Sequence, residues 1–250
     1  MQPAIGIVLD FDNLLLNTTA LKADLKVLVH QSFPNITPEM YEACYAEYRV
    51  FHHGRTHMQK ILATIAECAG CSQAETQMLV YEWLATLPYE QYVFSGAQEL
   101  LASLDPHQVF IFTKSEDASY QRAKIEACHF PVLPDHIMIP EGKNQEAFDG
   151  LFTTLHEQGI THVISGSDEA IELIRGHVSA QTQGISFEGV QHLYGEHQYH
   201  DQQEARSLLG NRYHVAENFT SFASIVLAIH KQLEGPMVYS EGMHLGKERL

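Results

Sequence analysis

Apolar and polar letters sort the chain into three regimes. Residues 4–9 read AIGIVL, an apolar run that ends against acids. Its length and its β-branched residues predict a strand buried on both faces. From about Thr18 to Pro88 the spacing turns helical: Leu21, Leu25, Leu28 and Val29 share one face, as do Met58, Ile61, Leu62 and Ile65. Thr37 ahead of Pro38 predicts a helix start with proline in the first turn, and Ser72 with Glu75 predicts a capping box. Beyond Val93 the two patterns alternate. SGAQELLASL reads as a helix opened by a Ser95/Gln98 capping box, QVFIFT as a strand, SEDASYQRAKIEAC as a helix and HIMIP as a strand. A helix over NQEAFDGLFTTLHEQG, a strand at THVIS and a helix over DEAIELIRG follow. A weaker strand is expected near SAQTQGI, another at YHVA, and a closing helix over FASIVLAIHKQL.

Strand-helix alternation predicts an α/β fold: a three-layer, Rossmann-like parallel sheet core wrapped by helices, with function at the strand carboxyl ends. The all-helical block interrupts that sheet after its first strand. The expected organisation is therefore a core of residues 1–17 and 89–235, an inserted α-helical cap of residues 18–88, and a loose tail of residues 236–250, where GPMVYSEGMHLGKERL shows little periodicity.

Composition narrows the partners. Among 250 residues, 45% are hydrophobic, enough for a real core. Fifteen Lys and Arg face 31 Asp and Glu, a formal charge of −16, so the average surface repels nucleic-acid backbones and anionic lipid. Any phosphate must be held by a local cationic site. The run Ile5 to Leu9 is too short for a signal segment and no later stretch reaches membrane-spanning length, so a soluble cytoplasmic protein without nucleic-acid or membrane partners is expected. Nothing in the letters sets the oligomeric state. Four cysteines are few for a disulfide scaffold. Cys68 and Cys71 bracket Gly70, which reads as a helix end; a zinc pair there would need two further ligands, for which His52, His53 and His57 are nearest.

Chemistry gathers where strands end. Asp10 and Asp12 follow the first strand, Thr113 and Lys114 the second, Lys143 the third and Asp168 the fourth. Paired acids at the end of a buried strand are costly unless a cation or strong hydrogen bonds compensate them. In order and spacing these motifs, with LDFDNLL at the start and FSGAQELLASL ahead of VFIFTKS, resemble the haloacid dehalogenase superfamily hydrolases with a helical cap between motifs one and two. The likeness extends over residues 5 to 232.

That resemblance implies a mechanism. Mg²⁺ would be held by the Asp10 carboxylate, the Asp12 backbone carbonyl and Asp168. Asp10 would attack phosphorus to form an aspartyl-phosphate, while Asp12 protonates the leaving oxygen and then activates water. Thr113 and Lys143 would stabilise the transferring oxygens. Lys114, standing where the family has asparagine, is either a further phosphate contact or a solvated helix-start lysine. The second motif-one aspartate favours phosphoryl transfer over dehalogenation. Leu14 and Asn144 depart from the family's usual threonine or valine and proline. HHGRTHMQKIL resembles the substrate-facing segment of helical caps, so Arg55 and His57 either read the substrate or form a polar helix start.

The fourth motif is irregular. ISGSDEAIEL offers Asp168 as ligand with Glu172 one turn later as a hydrogen-bond partner. A second register puts Ser167 in the metal position with Asp168 behind it, and a third makes Asp168 and Glu169 ordinary first-turn acids. The expected function is a Mg²⁺-dependent phosphatase acting on a small phosphorylated metabolite. The alternatives are a catalytically silent binding or regulatory protein with the same fold, and a sugar phosphomutase.

Overall fold

A computed structural model describes residues 4–34, 36–51, 58–194 and 200–235. Six strands, β1 (Ile5–Leu9), β2 (Val109–Phe112), β3 (Ile137–Met138), β4 (His162–Ser167), β5 (Ser186–His192) and β6 (Tyr213–Ala216), form one sheet. Its order is β3-β2-β1-β4-β5-β6 and every pairing is parallel. Period-two alternation splits each central strand between two cores. Ile5, Ile7 and Leu9 of β1 and Val109 and Ile111 of β2 face one helical layer, which includes α5 (Ala97–Ala102), α6 (Ala118–Glu126) and α10 (Phe219–Glu234). Val8, Phe110 and Phe112 face the other, built by α7 (Gln145–Glu157), α8 (Ala170–Thr182) and α9 (Gln202–Leu209). Three layers result, as the alternation of patterns predicts.

Between β1 and β2 the chain makes four helices, α1 (Thr18–Ser32), α2 (Pro38–Phe51), α3 (Met58–Cys68) and α4 (Gln73–Thr86). They bury a cluster of their own around Leu25, Val29, Tyr41, Ile61, Leu62 and Ile65. Ser72 and Glu75 form the reciprocal capping box of α4, and Gly70 takes φ +83° just past α3. Cys44 and Cys68 sulfurs lie 4.0 Å apart, and among the described residues no cluster of three His, Cys, Asp or Glu suits a metal. His52, His53, Arg55, His57 and the tail 236–250 lie outside the described residues. No helix among the described residues is long and apolar enough to cross a membrane.

Two local readings are corrected and one helix is added. The Ser95/Gln98 capping box is absent: α5 begins at Ala97 behind Gly96 at φ +93°, and the Gln98 amide donates instead to the Cys128 carbonyl at 2.5 Å. SAQTQGI is not a strand, because α8 runs on to Thr182 and the strand is the next seven residues, SFEGVQH. α9, unread in the letters, packs Ala205 and Leu209 onto the second core.

Strand order reverses between β1 and β4, the switch point where a parallel sheet opens a crevice at its carboxyl edge. Leu9 pairs with Gly166 there, and the Asp10 amide donates to the Gly166 carbonyl at 3.0 Å. Asp10 and Ser167 are thus next in line where the two strands end.

Candidate active site

A cavity of about 750 Å³ opens over this edge. Its floor carries Asp10, Asp12, Thr113, Lys114, Lys124 and Asp168; its opposite wall is supplied by α1, α2 and the start of α3, through Leu21, Lys22, Leu25, Tyr41, Tyr45 and Met58. Leu9 delivers Asp10 directly off β1, and Asn13, in the left-handed region at φ +58°, turns the chain just after Asp12. Asparagine tolerates that conformation better than most residues. The turn closes through Leu15 and Leu16 amides donating to the Phe11 carbonyl at 3.0 and 2.9 Å.

The two aspartates sit in different environments. Asp10 is buried, and the Lys143 ammonium reaches it at 2.7 Å while also reaching Glu172 at 2.7 Å. One cation therefore serves two acids, and Glu172 keeps the larger share. Burial works to raise Glu172, but Lys143, Lys114 and the Ser167 hydroxyl outweigh it and hold the carboxyl low. Burial pushes Asp10 up to about 7; Lys143 opposes this, while the charges of Glu172 and Asp12 add to it. Lys143 is itself pushed up, because the two acids more than offset its burial. Its carbonyl accepts from Arg175 at 2.7 Å, which fixes the loop that carries it.

Asp12 is held as an anion. Burial works to raise its carboxyl, but the Lys124 ammonium at 2.8 Å, the Thr18 hydroxyl at 2.6 Å and the Gln121 amide at 2.7 Å together bring it to about 2. Gln121 also donates to the Thr113 hydroxyl at 3.1 Å. Thr113 is buried directly behind β2, where its amide donates to the Met138 carbonyl. Lys114 is half exposed; it meets Glu169 at 3.4 Å and Glu172 at 3.9 Å, and it lines the cavity.

Asp168 is buried just past β4, its carbonyl fixed by the Gln191 amide at 2.9 Å. Burial, then the charges of Asp10, Glu172 and Glu169, push its carboxyl up to about 8. Ser167, one position earlier and beside Asp10, donates to Glu172 at 2.7 Å. The local balance is negative: Asp10, Asp168, Glu169 and Glu172 share the ammonium groups of Lys143 and Lys114. A hard divalent cation with oxygen ligands would relieve that repulsion, so the donor set fits Mg²⁺. The protein's share would be two carboxylates, Asp10 and Asp168, with the Asp12 carbonyl and water completing the shell.

The edge thus brings together Asp10, Asp12, Thr113, Lys114, Lys143 and Asp168, while Arg55 and His57 lie outside the described residues. Sequence reasoning passed over Thr18, Gln121 and Lys124. A signal for two of them existed: Ile125 and Cys128 are buried on α6 or just past it, and Gln121 and Lys124 stand four residues before each, on the inward face where apolar letters belong.

No family model and no curated protein matches the chain. Solved structures do. A haloacid dehalogenase-like hydrolase of Burkholderia xenovorans superposes with a TM-score of 0.66 at 17% identity, over 92% of this chain and 99% of that one. A haloacid dehalogenase-like family hydrolase of Xanthomonas campestris gives 0.55 at 15% identity, over 93% and 94%. The six-stranded parallel sheet, its helical layers and its helical excursion after β1 belong to a chain with the fold of the haloacid dehalogenase-like hydrolases.

Proposed function

We propose that the protein is a Mg²⁺-dependent phosphatase that cleaves a phosphomonoester through an aspartyl-phosphate on Asp10. The observation that carries this reading is the contrast between Asp10 and Asp12. They are two residues apart, yet one is a buried carboxylate at the strand end and the other an anion fixed by three donors. Such a division suits a nucleophile, once a cation beside Asp10 holds it ionised, and a proton-handling partner fixed in place. An oxygen of the Asp10 carboxylate attacks phosphorus, the ester P–O bond breaks, and the leaving oxygen takes the proton that Asp12 carries over from the preceding turnover. Asp12 then takes a proton from water, whose oxygen attacks the same phosphorus, freeing phosphate and restoring Asp10. When bound by Asp10, the Asp12 carbonyl and Asp168, Mg²⁺ supplies positive charge for the phosphoryl oxygens. Lys143 and the Thr113 hydroxyl add preorganised positive charge and hydrogen bonding. Helices α1 to α4 act as the cap, and Leu21, Leu25, Tyr41, Tyr45 and Met58 enclose the part of the substrate that leaves.

The test is phosphate release from 4-nitrophenyl phosphate and a metabolite phosphomonoester panel, with and without Mg²⁺, alongside chloride release from chloroacetate. Mg²⁺-dependent phosphate release that vanishes in Asp10→Asn is the expected result; chloride release, or activity surviving in Asp10→Asn, would overturn the reading. One observation favours a silent binding protein instead: Ser167, not an acid, stands beside Asp10 at the strand ends. Titration calorimetry with Mg²⁺ separates the two, because a silent site of that kind takes up no cation.

A further inference from the structure

The geometry points to Lys124, with Gln121, as the positioning pair that fixes the Asp12 carboxylate for proton handling, a role resting on the reading of Asp12 as the partner of the Asp10 nucleophile. Lys124 projects from α6, with its side chain only 7% exposed, and its ammonium lies 2.8 Å from the nearer Asp12 oxygen. The same nitrogen sits over the Phe11 ring at 5.1 Å and the Tyr120 ring at 6.0 Å. Neighbours on this helix face show what packing alone asks for: Ile125 and Cys128 are apolar and buried. Putting an ammonium and an amide among them costs desolvation that a methionine or leucine would not.

What the two polar groups achieve is orientation. Lys124 and Thr18 donate to one oxygen of Asp12 and Gln121 to the other, so the carboxylate is gripped from α1 on one side and α6 on the other. A carboxylate offers about four acceptor positions, so three are taken and rotation about its bond is blocked. Gln121 carries the same grip on to Thr113, which couples the acid's placement to the second strand end. Lys124 borders the cavity as well, so contact with substrate is the rival role that the experiment must separate.

Lys124→Met and Lys124→Arg are to be compared with wild type on phenyl phosphate and 4-nitrophenyl phosphate, which differ in leaving-group acidity far more than in shape. In Lys124→Met, kcat on phenyl phosphate is expected to fall about 10- to 100-fold, as when a supporting partner of an active group is removed. KM should hold, 4-nitrophenyl phosphate should lose less, and Lys124→Arg should recover most of the rate. Because Lys124 acts through Asp12, adding Lys124→Met to Asp12→Asn should cost nothing further. A raised KM with kcat preserved, or full additivity with Asp12→Asn, would overturn the assignment. If wild type releases phosphate from neither ester nor the metabolite panel, the phosphatase reading fails on its own, and a crystal structure of Lys124→Met decides the positioning role. An Asp12 carboxylate that swings away from its wild-type rotamer supports it; one that stays in place refutes it.

Discussion

Lys143 is the residue on which the site's charge balance turns. Its side chain is 3% exposed and its ammonium lies 2.7 Å from both Asp10 and Glu172. Replacing it by methionine keeps the volume but leaves two buried carboxylates without their cation, a loss of about 3–5 kcal/mol by the usual cost of breaking a buried pair. Urea denaturation of Lys143→Met should show that drop, and adding Glu172→Gln should return part of it. Asp12 carries a different expectation. The donors that hold it ionised suit the step in which it takes a proton from water, and they make the protonated form scarce, so that proton delivery to the leaving alkoxide is the demanding step. Hydrolysis should therefore speed up steeply with leaving-group acidity; a flat profile across substituted phenyl phosphates would show that proton delivery is not the demanding step. Asp10, Asp12, Thr113 and Lys143 were legible because each follows a strand whose apolar run announces it. Lys124 and Gln121 were not, since their meaning lies in which way a helix faces. The fourth motif was blurred because residues on a strand alternate sides, so a one-residue uncertainty in where β4 ends exchanges Ser167 for Asp168 beside Asp10.

Among elements, β4 shows how close packing holds the site's edge. Gly166 pairs with Leu9, and a methyl added to it would stand 2.5 Å from the Phe222 ring of α10 and 3.0 Å from the Leu9 side chain. Phe222 is fully buried among Phe219, Val226 and Val190 and has no room to retreat. Gly166→Ala should thus cost about 1–3 kcal/mol, the usual range for overfilling a core. It should also shift Ser167 and Asp168 relative to Asp10, so Mg²⁺ affinity measured by calorimetry is expected to weaken together with the denaturation midpoint. A variant as stable as wild type would mean that α10 yields more readily than its burial indicates. Five of the six strands were readable, β3 at HIMIP and β6 at YHVA among them, and the plainest, β1, β2 and β4, are those with apolar letters on both faces. β5 escaped because Glu188, Gln191 and His192 interrupt its pattern. Gln191 and His192 are buried, Gln191 bonding to the Asp168 carbonyl and the Tyr213 hydroxyl, and His192 to the Asn13 carbonyl. Those polar groups are satisfied only by other parts of the fold, which a local window of sequence does not contain. In the same way Gln98 looked like a capping residue by spacing alone, and its amide went to the Cys128 carbonyl across the layer.

For the whole molecule, part of the acid excess read from composition stands where it has a thermodynamic consequence. Asp10 and Asp168 are raised from an ordinary 3.8 to about 7 and about 8. Groups whose folded values are raised bind protons more tightly in the folded state. Their contribution to stability is complete below about pH 4, and it is lost as the pH climbs through 7 and 8. Asp12 and Glu172, held low, act oppositely: their contribution is present above their ordinary range near 4 and is lost on acidification. Without metal, stability should therefore peak between these windows and fall from about pH 6 to about pH 8.5 as Asp10 and Asp168 ionise beside Glu172. Mg²⁺ binds the ionised carboxylates and must displace protons where they are still held, so its stabilising effect grows with pH. Thermal unfolding at the two pH values, with and without Mg²⁺, should show a larger rise in Tm at the higher one. Asp168→Asn removes one of the two titrating groups and one of the two carboxylate ligands, so in that variant both the alkaline loss of stability and its reversal by Mg²⁺ should shrink together. Equal Mg²⁺ shifts at both pH values in wild type would show that the cation binds away from Asp10 and Asp168, and a variant that kept the full alkaline loss would place the titration on Asp10 alone.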